Sequence, residues 1–255
     1  MIKQKGILFD ATMCVGCGEC YYACKAQNEN GEGKEDFLTD HLSYKSYTVV
    51  EEYEDEIYTR KMCMHCVDPT CVSVCPVGAF TKTEFGPVLY DGDKCMGCRY
   101  CMQACPHNIP RYEWQSNNPV VQKCTMCHDR IKNGEMTACA EACPAEATLF
   151  GDLEELKEIA LQRIADDPDT YYPHVYGLEE AGGTHVLILS PVPFEQLGFA
   201  GNLPNEPLPE LTKRALDKIP HVVSVGSVFL GGMYWLTKRK NQIAEENRMK
   251  EDENA

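Results

Sequence analysis

Sixteen cysteines, all between positions 14 and 143 of a 255-residue chain, fall into four groups of four. They are Cys14, Cys17, Cys20 and Cys24; Cys63, Cys66, Cys71 and Cys75; Cys95, Cys98, Cys101 and Cys105; and Cys124, Cys127, Cys139 and Cys143. None is left over. A disulfide framework suits short secreted chains, whereas these cysteines come as close-set C-x2-C pairs, the spacing of a metal centre. Zinc also takes four thiolates from such pairs and is the nearer competitor.

The pattern inside the groups separates the two metals. The third group runs C-x2-C-x2-C-x3-C and then Pro106, the run that holds [4Fe–4S] clusters in two-cluster bacterial ferredoxins. The first has the same spacing with Lys25 where the proline would stand. Sixteen thiolates are a full ligand set for four [4Fe–4S] clusters, and soft sulfur ligands favour them. Such a chain is expected to pass single electrons and to be assembled in a reducing cytosol.

Charge narrows the partners. With 39 acidic against 24 basic residues the formal charge is −15, and four oxidised clusters with their thiolates would add about −8. A nucleic acid, which needs a basic patch, is excluded as a partner. Basic residues do crowd the cysteines: Lys61, Lys94, Arg99, Lys123 and Arg130. Either they are solvated surface positions, or some offset cluster charge and raise reduction potentials.

The fold class expected is α+β. Apolar runs precede each group: Gly6 to Phe9, Tyr58 to Lys61, Val88 to Tyr90 and Val120 to Gln122. They read as short strands feeding cluster loops, with a helical turn through the last cysteines of each group. Gly78 to Tyr90 reads as a hairpin, and Thr148 to Phe150 as the strand after the fourth group. Residues 1–151 thus form a cluster domain with little apolar core of its own, so that metal binding is folding energy. Lys25 to Arg60 reads as a polar surface insertion, ending in the acidic run Glu51 to Glu56.

An extension over 152–218 follows. Asp152 should cap a helix over Leu153 to Ala165, with Leu153, Leu156, Ile159 and Ala160 as its apolar stripe. Thr184 to Ser190 is a strand candidate, and Pro191 to Pro220 reads as an extended, broken arm. Ile219 to Thr237 is nineteen uncharged residues, apolar on every face, with Tyr234 and Trp235 near its end and Lys238, Arg239 and Lys240 beyond. Residues 219–238 therefore read as a single transmembrane helix, and 239–255 as a mobile charged tail. The opening Met1-Ile2-Lys3-Gln4-Lys5 shows no hydrophobic leader or twin arginines, so this chain is expected either to be exported with a signal-bearing catalytic partner or to stay inside.

In a two-cluster ferredoxin the first three cysteines of a run bind one cluster and the fourth binds the other. Groups two and three lie close together, so the simplest assignment pairs Cys63, Cys66 and Cys71 with Cys105, and Cys95, Cys98 and Cys101 with Cys75. Groups one and four then exchange ligands: Cys14, Cys17 and Cys20 with Cys143, and Cys124, Cys127 and Cys139 with Cys24. One unit would enclose the other. Spacing alone also admits pairing of groups one with two and three with four.

The segments "CVGCGECYYACKAQN", "CMHCVDPTCVSVCPVGAF", "CMGCRYCMQACPHNIPRY" and "KCTMCHDRIKNGEMTACAEACPAEA" resemble the four-cluster electron-transfer subunits of respiratory molybdenum or tungsten oxidoreductases and uptake hydrogenases. With "GGTHVLILSPVPFEQLG" and the apolar helix, the resemblance narrows to beta subunits of membrane-bound formate dehydrogenases and hydrogenases. It implies two nested 2[4Fe–4S] ferredoxin-like units. It also implies a large catalytic partner with a molybdenum- or tungsten-pterin or nickel–iron centre, and a quinone-linked membrane cytochrome b. Anchored relatives place the cluster domain on the outer face of the cytoplasmic membrane. Some relatives replace a ligand in the fourth group and carry a [3Fe–4S] centre; here Cys124, Cys127 and Cys139 are all present, so four [4Fe–4S] clusters are expected.

Two other functions compete with a wire. A stand-alone iron–sulfur reductase would need an open iron site or a second cofactor, and no cysteine is spare for one. A docking subunit with inert clusters would not be reduced during turnover. No residue reads as catalytic: His41, His65, His107, His128, His174, His185 and His221 are structural or surface candidates. His65 and His128 lie inside cysteine loops, where they could hydrogen-bond a sulfide. His221 stands at the membrane boundary, as an interfacial anchor or beside a partner's haem or quinone.

Overall fold

Alternate residues of a strand face opposite ways, so an apolar run with no polar side, such as Ile7-Leu8-Phe9, must be covered from both faces. In the computed structural model, which describes residues 3–117 and 119–253, this run lies in β1 (Lys5–Asp10), and α1 (Glu19–Gln27) follows with Cys20 and Cys24. The hairpin β2 (Thr48–Tyr53) and β3 (Ile57–Met62) leads to the second group, and α2 (Thr70–Ser73) carries Cys71. β4 (Phe80–Lys82) and β5 (Val88–Tyr90) pair antiparallel and feed the third, with Cys101 in α3 (Tyr100–Ala104). β6 (Arg111–Tyr112) and β7 (Val121–Gln122) feed the fourth, where α4 (His128–Lys132) precedes α5 (Ala138–Glu141) and its Cys139. Then come β8 (Thr148–Asp152), α6 (Leu153–Asp166), β9 (Val186–Leu189), α7 (Leu208–Leu216) and α8 (Ile219–Glu253).

β1 is the middle strand of a three-stranded sheet, antiparallel to β8 and parallel to β9. The pleat sorts its side chains. Ile7 and Phe9, with Val186 and Ile188, face the cysteine side and pack with Met62, Met64, Met126 and eight buried or half-buried cysteines. Leu8, Leu187 and Leu189 face the other way, onto Leu153, Leu156 and Ala160 of α6. An apolar core independent of the cysteines therefore exists, contrary to the sequence expectation, because the extension supplies both β9 and α6.

Several local expectations are corrected. The segment from Lys25 to Arg60 is no mere surface excursion: Val49, Val50, Thr59 and Arg60 are buried, since Thr48-Val49-Val50 forms the strand that pairs with β3. Asp152 stands at the helix N-cap position but its side chain makes no cap bond; Lys3 and Lys5 hold the carboxylate instead. Ile159 is exposed at 39%, because one residue is about 100° of helix and it points well away from its neighbour Ala160. The arm from Pro191 to Pro220 contains α7, with Pro209 in its first turn, where proline is tolerated. The tail after Lys238 continues α8 as helix to Glu253.

The chain divides into two units, one reaching Pro209 and the other running from Glu210. The second contains the apolar part of the one helical stretch among the described residues long and apolar enough to cross a membrane. Val222, Val225, Val228, Phe229 and Leu230 are all exposed. Ser224 and Thr237 donate their hydroxyls to carbonyls one turn back, Pro220 O at 2.7 Å and Met233 O at 2.9 Å. Their polar groups are thus satisfied within the helix, as an apolar solvent requires.

Candidate functional site

The third residue of each cysteine loop sets the loop's shape. Gly16, His65, Gly97 and Met126, each two places after the first cysteine of its group, all have positive φ, between 49° and 73°. A left-handed residue here costs glycine little, but about 1–2 kcal/mol for His65 or Met126. What offsets that cost is visible in groups three and four. The N–H of Gly97 donates to Cys95 Sγ at 3.4 Å, and that of Met126 to Cys124 Sγ at 3.3 Å. Ala79 N–H likewise donates to Cys75 Sγ at 3.2 Å. Backbone donors aimed at sulfur stabilise thiolates and tune clusters.

The loops bring cysteines from distant groups together. One apolar cavity is lined by Cys14, Cys17, Cys20 and Cys143, with Arg60. A second is lined by Cys63, Cys66, Cys71 and Cys105, with His65 and Lys123. Burial raises the Cys24 and Cys101 thiols most, with nearby thiols adding to it: Cys139, Cys127 and Cys20 for Cys24, and Cys95, Cys98 and Cys75 for Cys101. Among the described residues no three Cys, His, Asp or Glu side chains converge where one ion would sit.

The residues fit an anionic, thiolate-bound group in those spaces. Burial pushes the Cys20 and Cys101 thiols up to about 11, and those of Cys24 and Cys71 up to about 12, so without metal they stay protonated. His65 is completely buried, and its Nδ1 accepts the Val88 N–H at 2.9 Å. A neutral ring then carries its proton on Nε2, which is buried without a partner in a residue lining the second cavity. Burial, and then the charges of Lys123 and Lys82, keep this ring neutral. An orphaned donor beside four thiols suits a cluster sulfur as acceptor.

The basic residues divide. Lys94 pairs with Asp91 at the surface, and Arg130 with Glu141. The Arg99 guanidinium lies over the rings of Tyr112 and Trp114, 5.3 and 5.1 Å from their centres. Lys123 is buried and donates to the carbonyls of Val88 and Cys124. Lys61 lies over the Phe199 ring, and burial lowers its ammonium to about 8. Arg60, passed over in the sequence, is 2% exposed and deepest of all. The signal was alternation: Arg60 shares a strand face with Met62, and Met62 faces the core. Of the other histidines, His107 approaches the Tyr176 hydroxyl at 3.4 Å, His174 meets Glu180 at 2.6 Å, and His185 donates to the Lys5 carbonyl at 2.7 Å. His128 keeps a buried ring nitrogen without a partner.

Comparison with known proteins agrees with this geometry. Residues 55–153 match the family model of the 4Fe-4S dicluster domain. A protein of Nitratidesulfovibrio vulgaris is 41% identical over 256 residues, covering 95% of this chain and 69% of its own. The Hydrogenase-2 operon protein HybA of Escherichia coli O157:H7 is 41% identical over 234 residues, covering 75% of this chain and 71% of its own. The iron-sulfur subunit of the nitrate-inducible formate dehydrogenase of Escherichia coli K12 is 39% identical over 196 residues, or 71% of this chain and 66% of its own.

Proposed function

Because the chain belongs to the family of iron–sulfur electron-transfer subunits of formate dehydrogenase and hydrogenase complexes, we propose that it is a non-catalytic wire of four [4Fe–4S] clusters. The clusters sit in two nested ferredoxin-like units and link a catalytic oxidoreductase subunit to a quinone-linked membrane cytochrome b. The observation that carries the nesting is the cavity lined jointly by Cys14, Cys17, Cys20 and Cys143. Each cluster supplies one-electron redox chemistry when bound. The chain's own residues hold it and aim N–H donors at its cysteine sulfurs.

An order for the wire is supported by which thiols of different groups stand near one another. Cys20 is influenced by Cys139, Cys124 by Cys63, and Cys71 by Cys101. The sequence is then Cys14/Cys17/Cys20/Cys143, Cys124/Cys127/Cys139/Cys24, Cys63/Cys66/Cys71/Cys105 and Cys95/Cys98/Cys101/Cys75. Cys17 and Cys98, the two exposed cysteines, mark its ends, where electrons cross to partners. The chemistry of a two-electron donor such as formate or hydrogen belongs to the partner, with its molybdenum- or tungsten-pterin or nickel–iron centre.

Anaerobic analysis should return about sixteen iron and sixteen acid-labile sulfide per chain; stoichiometric zinc or a native three-iron centre would refute the four-cluster wire. For the nesting, Cys24→Ser should alter the magnetic signal of the cluster held by Cys124, Cys127 and Cys139, leaving that of the Cys14, Cys17 and Cys20 cluster intact. A ligand-resolved map with Cys24 bonded to its own group's cluster would sink the nested pairing.

A further inference from the structure

Arg60 is a cation in the wrong place for a soluble protein. It is 2% exposed, and a buried ion is tolerated only when an opposite charge answers it. Its hydrogen bonds go to Thr148 Oγ1 at 2.9 Å, Thr48 Oγ1 at 3.3 Å and Met62 Sδ at 3.3 Å. All three are neutral. Its guanidinium lies 5.8 Å from the centre of the Phe9 ring, and its Nε has no partner. The groups beside it that can become anionic, as ligands of a cluster, are the thiols of Cys139, Cys20 and Cys124.

These thiols belong to both outer groups. Arg60 lines the cavity of Cys14, Cys17, Cys20 and Cys143, and it also acts on Cys24 and Cys127. The strand register explains the placement. Arg60 pairs with Val50 across the β2–β3 hairpin, so its side chain shares the inward face with Thr48 and Met62. The two hydroxyls fix the fork of the guanidinium, while its charge is left for whatever the thiolates hold.

We propose that Arg60 is the shared counter-ion of the two outer-pair clusters and holds their reduction potentials up. This rests on the nested reading above. Reduction adds one electron to a cluster already anionic, so a fixed positive charge beside it favours the reduced state. One cation between two clusters raises both and spares each successive electron part of its repulsion from its neighbour.

The test is a redox titration followed by magnetic resonance on the anaerobically purified full-length chain with its partners. The outer-pair signals are first identified as those altered in C20S and C139S chains. In R60Q the equilibrium constant for reducing the outer pair should fall at least tenfold, a downward shift of about 59 mV for a one-electron couple, with the inner pair unmoved. R60K, which keeps the charge, should restore most of that shift. If R60Q fails to hold the outer clusters, R60K alone should still hold them near the native potential. Unchanged outer potentials in R60Q overturn the proposal, as does equal loss of the outer clusters from both variants, which would assign Arg60 to the fold alone. Failure of the nested reading would appear separately, as fewer than four clusters in the unsubstituted chain or as Cys143→Ser leaving intact the signal that C20S alters.

Discussion

Removing the iron should cost this chain its fixed tertiary structure, not only its electron transfer. The face of the central sheet that carries Ile7, Phe9, Val186 and Ile188 packs on cysteine loops rather than on another apolar layer. Apart from the nine-residue α1, those loops are held by helices of four or five residues and by left-handed turns at His65 and Met126, all unstable without a centre to wrap. Without thiolates, Arg60 and Lys123 would also be buried cations with no anion to answer them, a penalty of several kcal/mol per ion. Against a typical total stability of about 5–15 kcal/mol, the leucine layer under α6 is not enough. After anaerobic chelation the near-ultraviolet circular dichroism should vanish, and protease should cut between Cys14 and Cys143 within minutes. Native protection of β3 and β7 in the metal-free chain would contradict this. Loading has a definite pH sign: iron must displace protons from thiols that burial holds at about 11 to 12, so affinity falls as the pH falls.

A comparably large effect is expected at the other end of the chain. Truncation after Lys218 should move the chain from the detergent-requiring membrane fraction to the soluble one, with its clusters retained. The nineteen uncharged residues from Ile219 to Thr237 give a helix of about 28 Å at 1.5 Å per residue, close to the roughly 30 Å of a bilayer core. Val228→Arg near its middle should weaken insertion by about 2.5–3.5 kcal/mol, roughly 70- to 400-fold. Release of the intact chain by salt alone would refute the span. Lys238, Arg239, Lys240 and Arg248 follow the helix, against Lys213, Arg214 and Lys218 before it. By the positive-inside preference the proposed orientation has the C-terminal end in the cytoplasm and the cluster domain on the outer face. Protease added to intact spheroplasts should then cut the cluster domain and spare a tag placed after Ala255.

What could be read in advance was what repeats. Cysteine spacing, the strands before each group and the uncharged run at Ile219 are local patterns, and each corresponds to an element that forms. What could not be read was long-range. Asp152 looks like a cap until Lys3 and Lys5, distant in sequence, arrive beside it. Thr48 to Val50 looks like part of a polar insertion until its partner strand puts Val50 opposite Arg60. Arg60 itself is invisible to composition, because nothing local distinguishes it from Lys61. Only the strand's alternation separates them, and that is decisive once the core-facing side is known. His65 was legible as a loop histidine, but its tautomer depends on Val88, 23 residues away.

The central strand of the three-stranded sheet is the first to be made and among the last to be completed. β1 leaves the ribosome about 180 residues before β9, with which its parallel register pairs Ile7 to Val186 and Asp10 to Leu189. At about 5–20 residues per second, translation leaves it waiting roughly 9–35 s. Until β8 emerges it is a strand apolar on both faces with two open edges, and one edge stays open until β9 follows, the form most prone to pair with the wrong chain. Safe biogenesis therefore calls for a holding factor on the nascent N-terminal segment until residues 148–152 and 186–189 have emerged to cover it.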